Sequence, residues 1–133
     1  VNDPADSEYV ARASESIAAS LSGDCDDFAV LIASCILSIG GRPCINTGHN
    51  PSGGHAFTEV DISMFNENEV LKTIQKYFPE YPIDQLFYRT DNGHKWLNLD
   101  WQCAYPGGKY YDFSSSWDAY PDINGAWTWK HIH

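Results

Sequence analysis

The spacing of apolar residues predicts a helix that begins at Asp24 and ends before two glycines. Apolar side chains recur here at intervals of three and four residues, which is typical of a helix with one buried face. They are Phe28, Leu31, Ile32, Cys35, Ile36 and Ile39. Gly40-Gly41 follows at once and is a typical helix stop. We expect this helix to be central and buried.

Two other stretches show a helical period. Residues 6–21 predict one or two short helices, interrupted by serines. Residues 67–78 predict an amphipathic helix that Pro79 ends. The inward side chains of this second helix are expected to be Val70, Leu71, Ile74, Tyr77 and Phe78.

The remaining pattern predicts strands. Residues 43–47 form a short strand and residues 49–54 a loop, after which residues 55–62 alternate in polarity, as strands do. Ala56, Thr58, Val60 and Ile62 share one face of that strand, and His55, Phe57, Glu59 and Asp61 share the other. Strands at 86–90 and 95–101 meet through Asp91-Asn92-Gly93-His94, since Asn-Gly favours a tight hairpin. A last strand is expected within 126–133. Early helices followed by antiparallel strands indicate an α+β fold in which the first helix packs on the sheet.

Composition limits the possible partners. With 133 residues, 43% of them hydrophobic, the chain is predicted to be one domain, 1–133, able to bury a core without disulfides. The net charge of −10 opposes binding to nucleic-acid phosphates. No apolar run approaches the roughly 18 residues that span a bilayer, so no membrane insertion is expected. The four cysteines predict either one disulfide at most or a fully reduced set.

Cys25 stands at the mouth of the first predicted helix, directly after the natural N-cap Asp24. A helix N-terminus favours a thiolate over a thiol, and its free N–H groups can hold an oxyanion. Asp26 and Asp27 work against this, because nearby negative charge raises the pKa of a thiol. An imidazolium at His55 would restore the balance by forming a thiolate–imidazolium pair.

Three segments carry a family resemblance: GDCDDFAVLIASCILSIGGRPC, then GGHAFTEV, then WLNLDWQCAYPGGKYY. In this order they resemble the transglutaminase-like superfamily, which includes transglutaminases and transglutaminase-like cysteine peptidases. The resemblance implies a papain-like core and a catalytic triad of Cys25, His55 and Asp100. It also implies a helix upstream of Val1, in a region that often supplies an oxyanion donor, and in this chain such a donor would be missing, replaced or cut away.

The resemblance implies an enzyme of the transglutaminase-like cysteine peptidase or protein-glutamine acyltransferase type. Cys25 would attack an amide carbonyl to form a thioester, His55 would move the proton, and Asp100 would orient the imidazole. A protein or peptide substrate is expected, and no cofactor or metal. Whether water or an amine resolves the acyl-enzyme stays open. Two other classes also stay open: an inactive module that binds peptides or glycans, and a metal- or redox-linked thiol protein.

Other polar residues are weaker candidates. Asn98 competes with Asp100 for the third place in the triad, because both would lie on one strand face. His49 is expected in a solvated loop, and His94 in a hairpin turn. His131 and His133 could chelate a metal only with a third ligand. The acids Asp112, Asp118 and Asp122 fit no EF-hand spacing and are expected to be solvated loop residues.

Overall fold

The computed structural model describes residues 25–112, 116–121 and 130–132, except for the side chains of residues 25, 26, 130 and 131. These ranges contain two helices and one six-stranded sheet. In chain order the elements are α1 (Cys25–Ser38), β1 (Pro43–Asn50), β2 (Gly53–Asp61), α2 (Glu67–Tyr77), β3 (Tyr88–Asp91), β4 (His94–Asn98), β5 (Ser116–Tyr120) and β6 (Lys130–His131). The predicted α+β class is confirmed. The helices predicted within residues 6–21 lie outside the described residues.

The sheet is antiparallel throughout, with the strand order β3-β4-β2-β1-β5-β6. At its centre, β1 and β2 form a long hairpin that runs from the pair Pro43 and Val60 to the pair Asn50 and Gly53. The predicted hairpin between β3 and β4 is also present. Asn92 and Gly93 have φ angles of 50° and 81°, the positive values that a type I′ turn requires at both central positions.

Both helices cover the same face of the sheet. Ala56 of β2 lies in a buried cluster with Ala29 of α1, and the Thr58 hydroxyl donates a 2.6 Å hydrogen bond to the Ala29 carbonyl. Farther along the sheet, Ile74 of α2 packs in a cluster with Ile62 and other apolar residues. The predicted alternation of β2 is therefore confirmed. His55, Phe57 and Glu59 project to the face opposite the helices.

The buried face of α1 differs from the predicted one. Its buried apolar residues are Ala29, Ala33 and Ile36, whereas Leu31 is 57% exposed, Ile39 is 84% exposed and Cys35 is also exposed. The physical reason is side-chain size, because a stripe of alanines lets a helix approach a sheet closely. The alanines share the helical spacing that the larger residues suggested. The helix stop is as predicted: Gly40 has a φ of 83°, and the N–H of Gly41 donates to the Ile36 carbonyl over 2.9 Å.

Several boundaries also need correction. β1 continues to Asn50, so His49 belongs to a strand and not to a loop. β4 ends at Asn98, so Asp100 follows the strand instead of lying within it. α2 ends at Tyr77, whose side chain is 69% exposed and not inward. β5 was not predicted, and it places Asp118 in a strand. Of the predicted final strand, only β6 lies within the described residues.

Candidate active site

The site lies where β2 and β4 separate. β4 pairs with β2 only over Glu59–Asp61, whereas β2 extends back to Gly53. Backbone bonding to β2 continues as far as Leu99, whose N–H donates to the Thr58 carbonyl over 2.9 Å, and Oδ1 of Asn98 then accepts the N–H of Asp100 over 3.0 Å in an Asx-type turn. The Nδ2 group of Asn98 donates to the Gly108 carbonyl over 2.8 Å. The chain after β4 is thereby directed to the first half of β2.

This turn brings Asp100 to His55. The Nε2 atom of His55 lies 2.8 Å from Oδ2 of Asp100, and each side chain is only 3% exposed. Since a carboxylate only accepts hydrogen bonds, Nε2 carries the proton. The other oxygen, Oδ1, accepts the N–H of Gln102 over 3.0 Å, which fixes the carboxylate plane. Asp100, and not Asn98, is thus the hydrogen-bond partner of His55.

Aromatic rings surround the imidazole. The ring of Tyr111 is centred 4.7 Å from that of His55, and the rings of Trp101 and Phe57 are centred 5.8 Å and 5.9 Å away. These contacts restrict rotation of the imidazole and exclude water from the hydrogen bond to Asp100. In such a low-dielectric setting, the hydrogen bond is stronger than in water.

Trp101 also links His55 to the beginning of α1. Its ring stacks on Phe28 with the two centroids 4.8 Å apart. Phe28 is three residues beyond Cys25, which is less than one helical turn. The side chain of Cys25 lies outside the described residues, as do Asp24 and the side chain of Asp26. The triad of Cys25, His55 and Asp100 therefore stays a prediction, of which the structure brings two members together.

The other three cysteines are free thiols. Cys44 is fully buried, and burial together with the charge of Glu59 raises its pKa well above the ordinary value. Burial and the nearby Asp100 raise the pKa of Cys103. Both groups are therefore poor nucleophiles at neutral pH. Cys35 is exposed, although its helical position suggested a core residue.

The remaining candidates have other surroundings. Nδ1 of His49 lies 3.3 Å from the Ser116 hydroxyl, and Nδ1 of His94 lies 2.7 Å from Oδ2 of Asp61. His133, Asp122 and the side chain of His131 lie outside the described residues. Within the described ranges, no group of three or more His, Cys, Asp or Glu side chains could hold a metal ion.

A small cavity of about 280 Å³ borders Asp100 on the side of α1. Its other lining residues are mainly apolar: Ile32, Phe78, Leu99, Cys103, Ala104, Tyr105 and Pro106. No pattern in the sequence predicts this cavity or the contact between Tyr111 and His55. The position of Trp101 directly after Asp100, in an aromatic-rich chain, could have indicated that its ring lies at the site.

Comparison with known proteins adds no relative. No family model matches the chain, and neither a curated protein nor a solved structure does. In the part of the chain that the structure describes, neither helix has the length and apolar character needed to cross a membrane. The chemistry of the site is accordingly argued from its own residues.

Proposed function

We propose that this protein performs thiol-dependent acyl transfer or hydrolysis at amide or peptide bonds. Cys25 is the nucleophile, His55 the general base and acid, and Asp100 the residue that orients the imidazole. The observation that carries the proposal is the buried 2.8 Å hydrogen bond between His55 and Asp100. A histidine fixed by a carboxylate on one nitrogen is prepared to exchange a proton at the other.

The reaction proceeds in two steps. In the first, the sulfur of Cys25 bonds to the amide carbonyl carbon while His55 takes the thiol proton. The C–N bond then breaks, the amine leaves with the proton from His55, and a thioester remains. In the second, water or an amine gives a proton to His55 and its oxygen or nitrogen bonds to the thioester carbon. The C–S bond then breaks, a carboxylic acid or a new amide leaves, and His55 returns the proton to the sulfur of Cys25. No electrons are exchanged with another molecule.

The start of α1 supplies electrostatic support. A helix N-terminus carries about half a positive charge and unpaired backbone N–H groups. Because α1 begins at Cys25, its backbone N–H is our candidate donor to the oxyanion. This arrangement favours both the thiolate and the tetrahedral intermediate.

The substrate is proposed to be a protein or peptide. The cavity beside Asp100 is large enough for an apolar side chain and is lined by Ile32, Leu99 and Tyr105, among others. Among the described residues that line it, Asp100 alone is charged, and its carboxylate is bonded to His55. An apolar residue near the scissile bond therefore suits this cavity better than a charged one.

The test is the order in which the cysteines are alkylated. With limiting iodoacetamide at neutral pH, Cys25 is expected to react before the exposed Cys35, while the buried Cys44 stays unlabelled in native protein. Mass spectrometry of proteolytic fragments measures each site. His55→Ala should remove the preference for Cys25, because the imidazolium is lost.

A second stage identifies the reaction. Amide and peptide libraries should give products that form with wild-type protein and not with Cys25→Ala, and added amines should show whether water or an amine is the acceptor. If Cys25 is labelled no faster than Cys35, the proposed nucleophile is wrong. If it is labelled first but the libraries give no Cys25-dependent product, acyl transfer is wrong.

A further inference from the structure

A second buried polar cluster lies on the strand face that carries His55. Along β2, His55, Phe57 and Glu59 succeed one another on this face, and the rings of His55 and Phe57 stack 5.9 Å apart. Glu59 is fully buried. Its Oε1 accepts hydrogen bonds from Nη2 of Arg89 over 2.6 Å and from Nδ2 of Asn46 over 3.0 Å.

The other carboxylate oxygen holds Tyr110. The Tyr110 hydroxyl donates to Oε2 of Glu59 over 2.6 Å and lies 3.0 Å from the Trp96 carbonyl oxygen. Burial, followed by the charge of Glu59, raises the pKa of Tyr110 far above its ordinary value. The phenol therefore stays protonated and remains a donor over the whole range in which proteins are handled.

Tyr110 is next to the ring that covers His55. Residues 110–112 have no regular secondary structure, so side-chain contacts fix their path. Asn50 supplies the second attachment: its Nδ2 donates to the Asp112 carbonyl over 2.7 Å, and its Oδ1 lies 3.4 Å from the Tyr111 hydroxyl. Between these two attachments, the Tyr111 ring packs 4.7 Å from the imidazole.

We propose that Tyr110, bonded to Glu59, is a positioning residue for His55. It fixes residues 110–112 so that Tyr111 stays against the imidazole and keeps water away from the hydrogen bond to Asp100. Tyr110 acts through Tyr111 and touches no reacting atom. The inference rests on the proposed function only for its catalytic consequence, since the ordering of His55 can be measured without any substrate.

The test variant is Tyr110→Phe, which keeps the ring and removes only the hydroxyl. The main measurement is the exchange with water of the proton on Nε2 of His55, followed by NMR under native conditions. We expect exchange to become about tenfold faster, as local opening does when a hydrogen bond to a charged group is lost. A second variant, Asn50→Ala, cuts the other attachment and should also accelerate exchange.

Two controls separate positioning from general stability. Tyr81→Phe removes a hydroxyl from a tyrosine that is 38% exposed and should leave the exchange rate unchanged. Arg89→Lys disturbs the contact of Nε and Nη2 with the two oxygens of Glu59 while leaving the Tyr110 hydroxyl in place. It should lower the thermal midpoint with a smaller effect on His55 than Tyr110→Phe has.

Catalysis gives an independent result. With a Cys25-dependent substrate, Tyr110→Phe should lower kcat several-fold with KM nearly unchanged. If the exchange rate and kcat both stay at their wild-type values in Tyr110→Phe, the positioning role is wrong. The positioning role is also wrong if the exchange rate of each variant is explained by its thermal midpoint alone, because the effect would then be one of general stability. A protein with no thiol-dependent activity but faster exchange in Tyr110→Phe would refute the proposed function and support the positioning of His55.

Discussion

Two buried acid–base pairs occupy the same side of the sheet and differ in how the acid is held. Glu59 receives hydrogen bonds from Arg89, Asn46 and Tyr110, so both of its oxygens are bonded to donors that keep their protons. Asp100 instead holds His55 and one backbone N–H. An arginine stays protonated in proteins, whereas an imidazole gains and loses its proton near neutral pH.

The difference indicates which pair can do chemistry. The hydrogen bonds that Arg89, Asn46 and Tyr110 donate to Glu59 hold β1, β2, β3 and the Tyr110 segment together. The pair of His55 and Asp100 lies where β4 has left the sheet and where α1 is linked through Trp101. Burial is thus common to both, and the candidate catalytic pair is distinguished by its position at this junction and by having an imidazole where the structural pair has a guanidinium.

The largest expected effect comes from the thiol. Cys25→Ala should abolish turnover of a thiol-dependent substrate while the circular dichroism spectrum and thermal midpoint stay close to wild type. The reason is that no acyl-enzyme forms without the sulfur. Cys35→Ala, at an exposed position, is the matched control and should retain full activity. Residual activity in Cys25→Ala would place the nucleophile elsewhere.

Asp100→Asn is expected to have the next largest effect. It should lower kcat/KM by up to ~10⁴-fold, the effect known for serine-protease triads, because the amide favours the wrong imidazole tautomer. The fold should be retained, as shown by an unchanged thermal midpoint. Asp112→Asn, an exposed acid on the same side, should have little effect.

The double variant tests whether the residues act together. Adding Asp100→Asn to Cys25→Ala should reduce the remaining rate no further, since members of one catalytic unit are not additive. A fully active Asp100→Asn protein would remove Asp100 from the mechanism and leave a dyad of Cys25 and His55. The hydrogen bond seen between His55 and Asp100 would then be structural, like the contacts of Glu59.

Glu59→Gln should affect stability more than chemistry. Burial raises the pKa of Glu59 even though Arg89, Tyr110 and Asn46 all favour its charged form, so the pair itself contributes little net stability. Removing the charge nevertheless leaves the largely buried Arg89 with the longer, 3.6 Å ion pair to Asp91 in place of its 2.6 Å contact with Glu59, at a cost of about 3 kcal/mol. Urea unfolding measures this change in the free energy of unfolding.

The matched control is Glu67→Gln. It removes an ion pair with Lys95 in which both side chains are 41% exposed, and it should cost well under ~1 kcal/mol. If Glu59→Gln and Glu67→Gln lower the free energy of unfolding equally, the buried contact of Glu59 with Arg89 has no larger role in stability than the exposed contact of Glu67 with Lys95.

Much of the fold could be predicted because local signals were strong. The glycines after α1, the Asn92-Gly93 turn and the alternation along β2 each require a particular backbone, and each is present. The buried face of α1 is harder to predict, because bulky residues and alanines recur with the same helical period. Only packing against the sheet determines that Ala29 and Ala33 are the buried residues. The unpredicted strand β5 depends on pairing with the distant β1, which no local pattern encodes.

The candidate site was predictable only in part. The chain order of His55 and Asp100 suggested their pairing, and the structure brings them together. The turn that brings them together depends on the side chain of Asn98, the last residue of β4. From the sequence, Asn98 is expected instead to compete with Asp100 for the contact with His55. The roles of Tyr110 and Tyr111 depend on contacts between residues about 50 positions apart, from Tyr110 to Glu59 and from Tyr111 to His55. Such contacts leave no periodic signal.

The smallest expected effect comes from a third acid–base pair, Asp61 and His94. It is partly exposed and can be compared with the two buried pairs by its effect on stability. Asp61 accepts from the N–H of Ser63 over 2.9 Å and from Nδ1 of His94 over 2.7 Å. Burial alone would raise the pKa of Asp61, but the hydrogen bonds from Ser63 and His94 outweigh it and lower the pKa below 3.8. A carboxyl group whose pKa is lowered on folding stabilises the protein above its unfolded pKa, and this contribution is lost as the pH falls through the folded value.

Wild-type protein should therefore lose more stability between about pH 5 and pH 3 than Asp61→Asn does, by about 0.5–1 kcal/mol, since the variant has no charge to lose. Asparagine still offers an oxygen to Ser63, so the comparison isolates the charge. Urea unfolding at a series of pH values measures the difference, and Asp84→Asn, at an exposed loop position, should follow wild type. Parallel pH profiles for wild type and Asp61→Asn would show that the contacts of the Asp61 charge with Ser63 and His94 contribute nothing to stability. Partial exposure would then be enough to cancel the stabilising effect of a histidine–carboxylate contact of 2.7 Å, a length close to the 2.8 Å of the buried contact between His55 and Asp100.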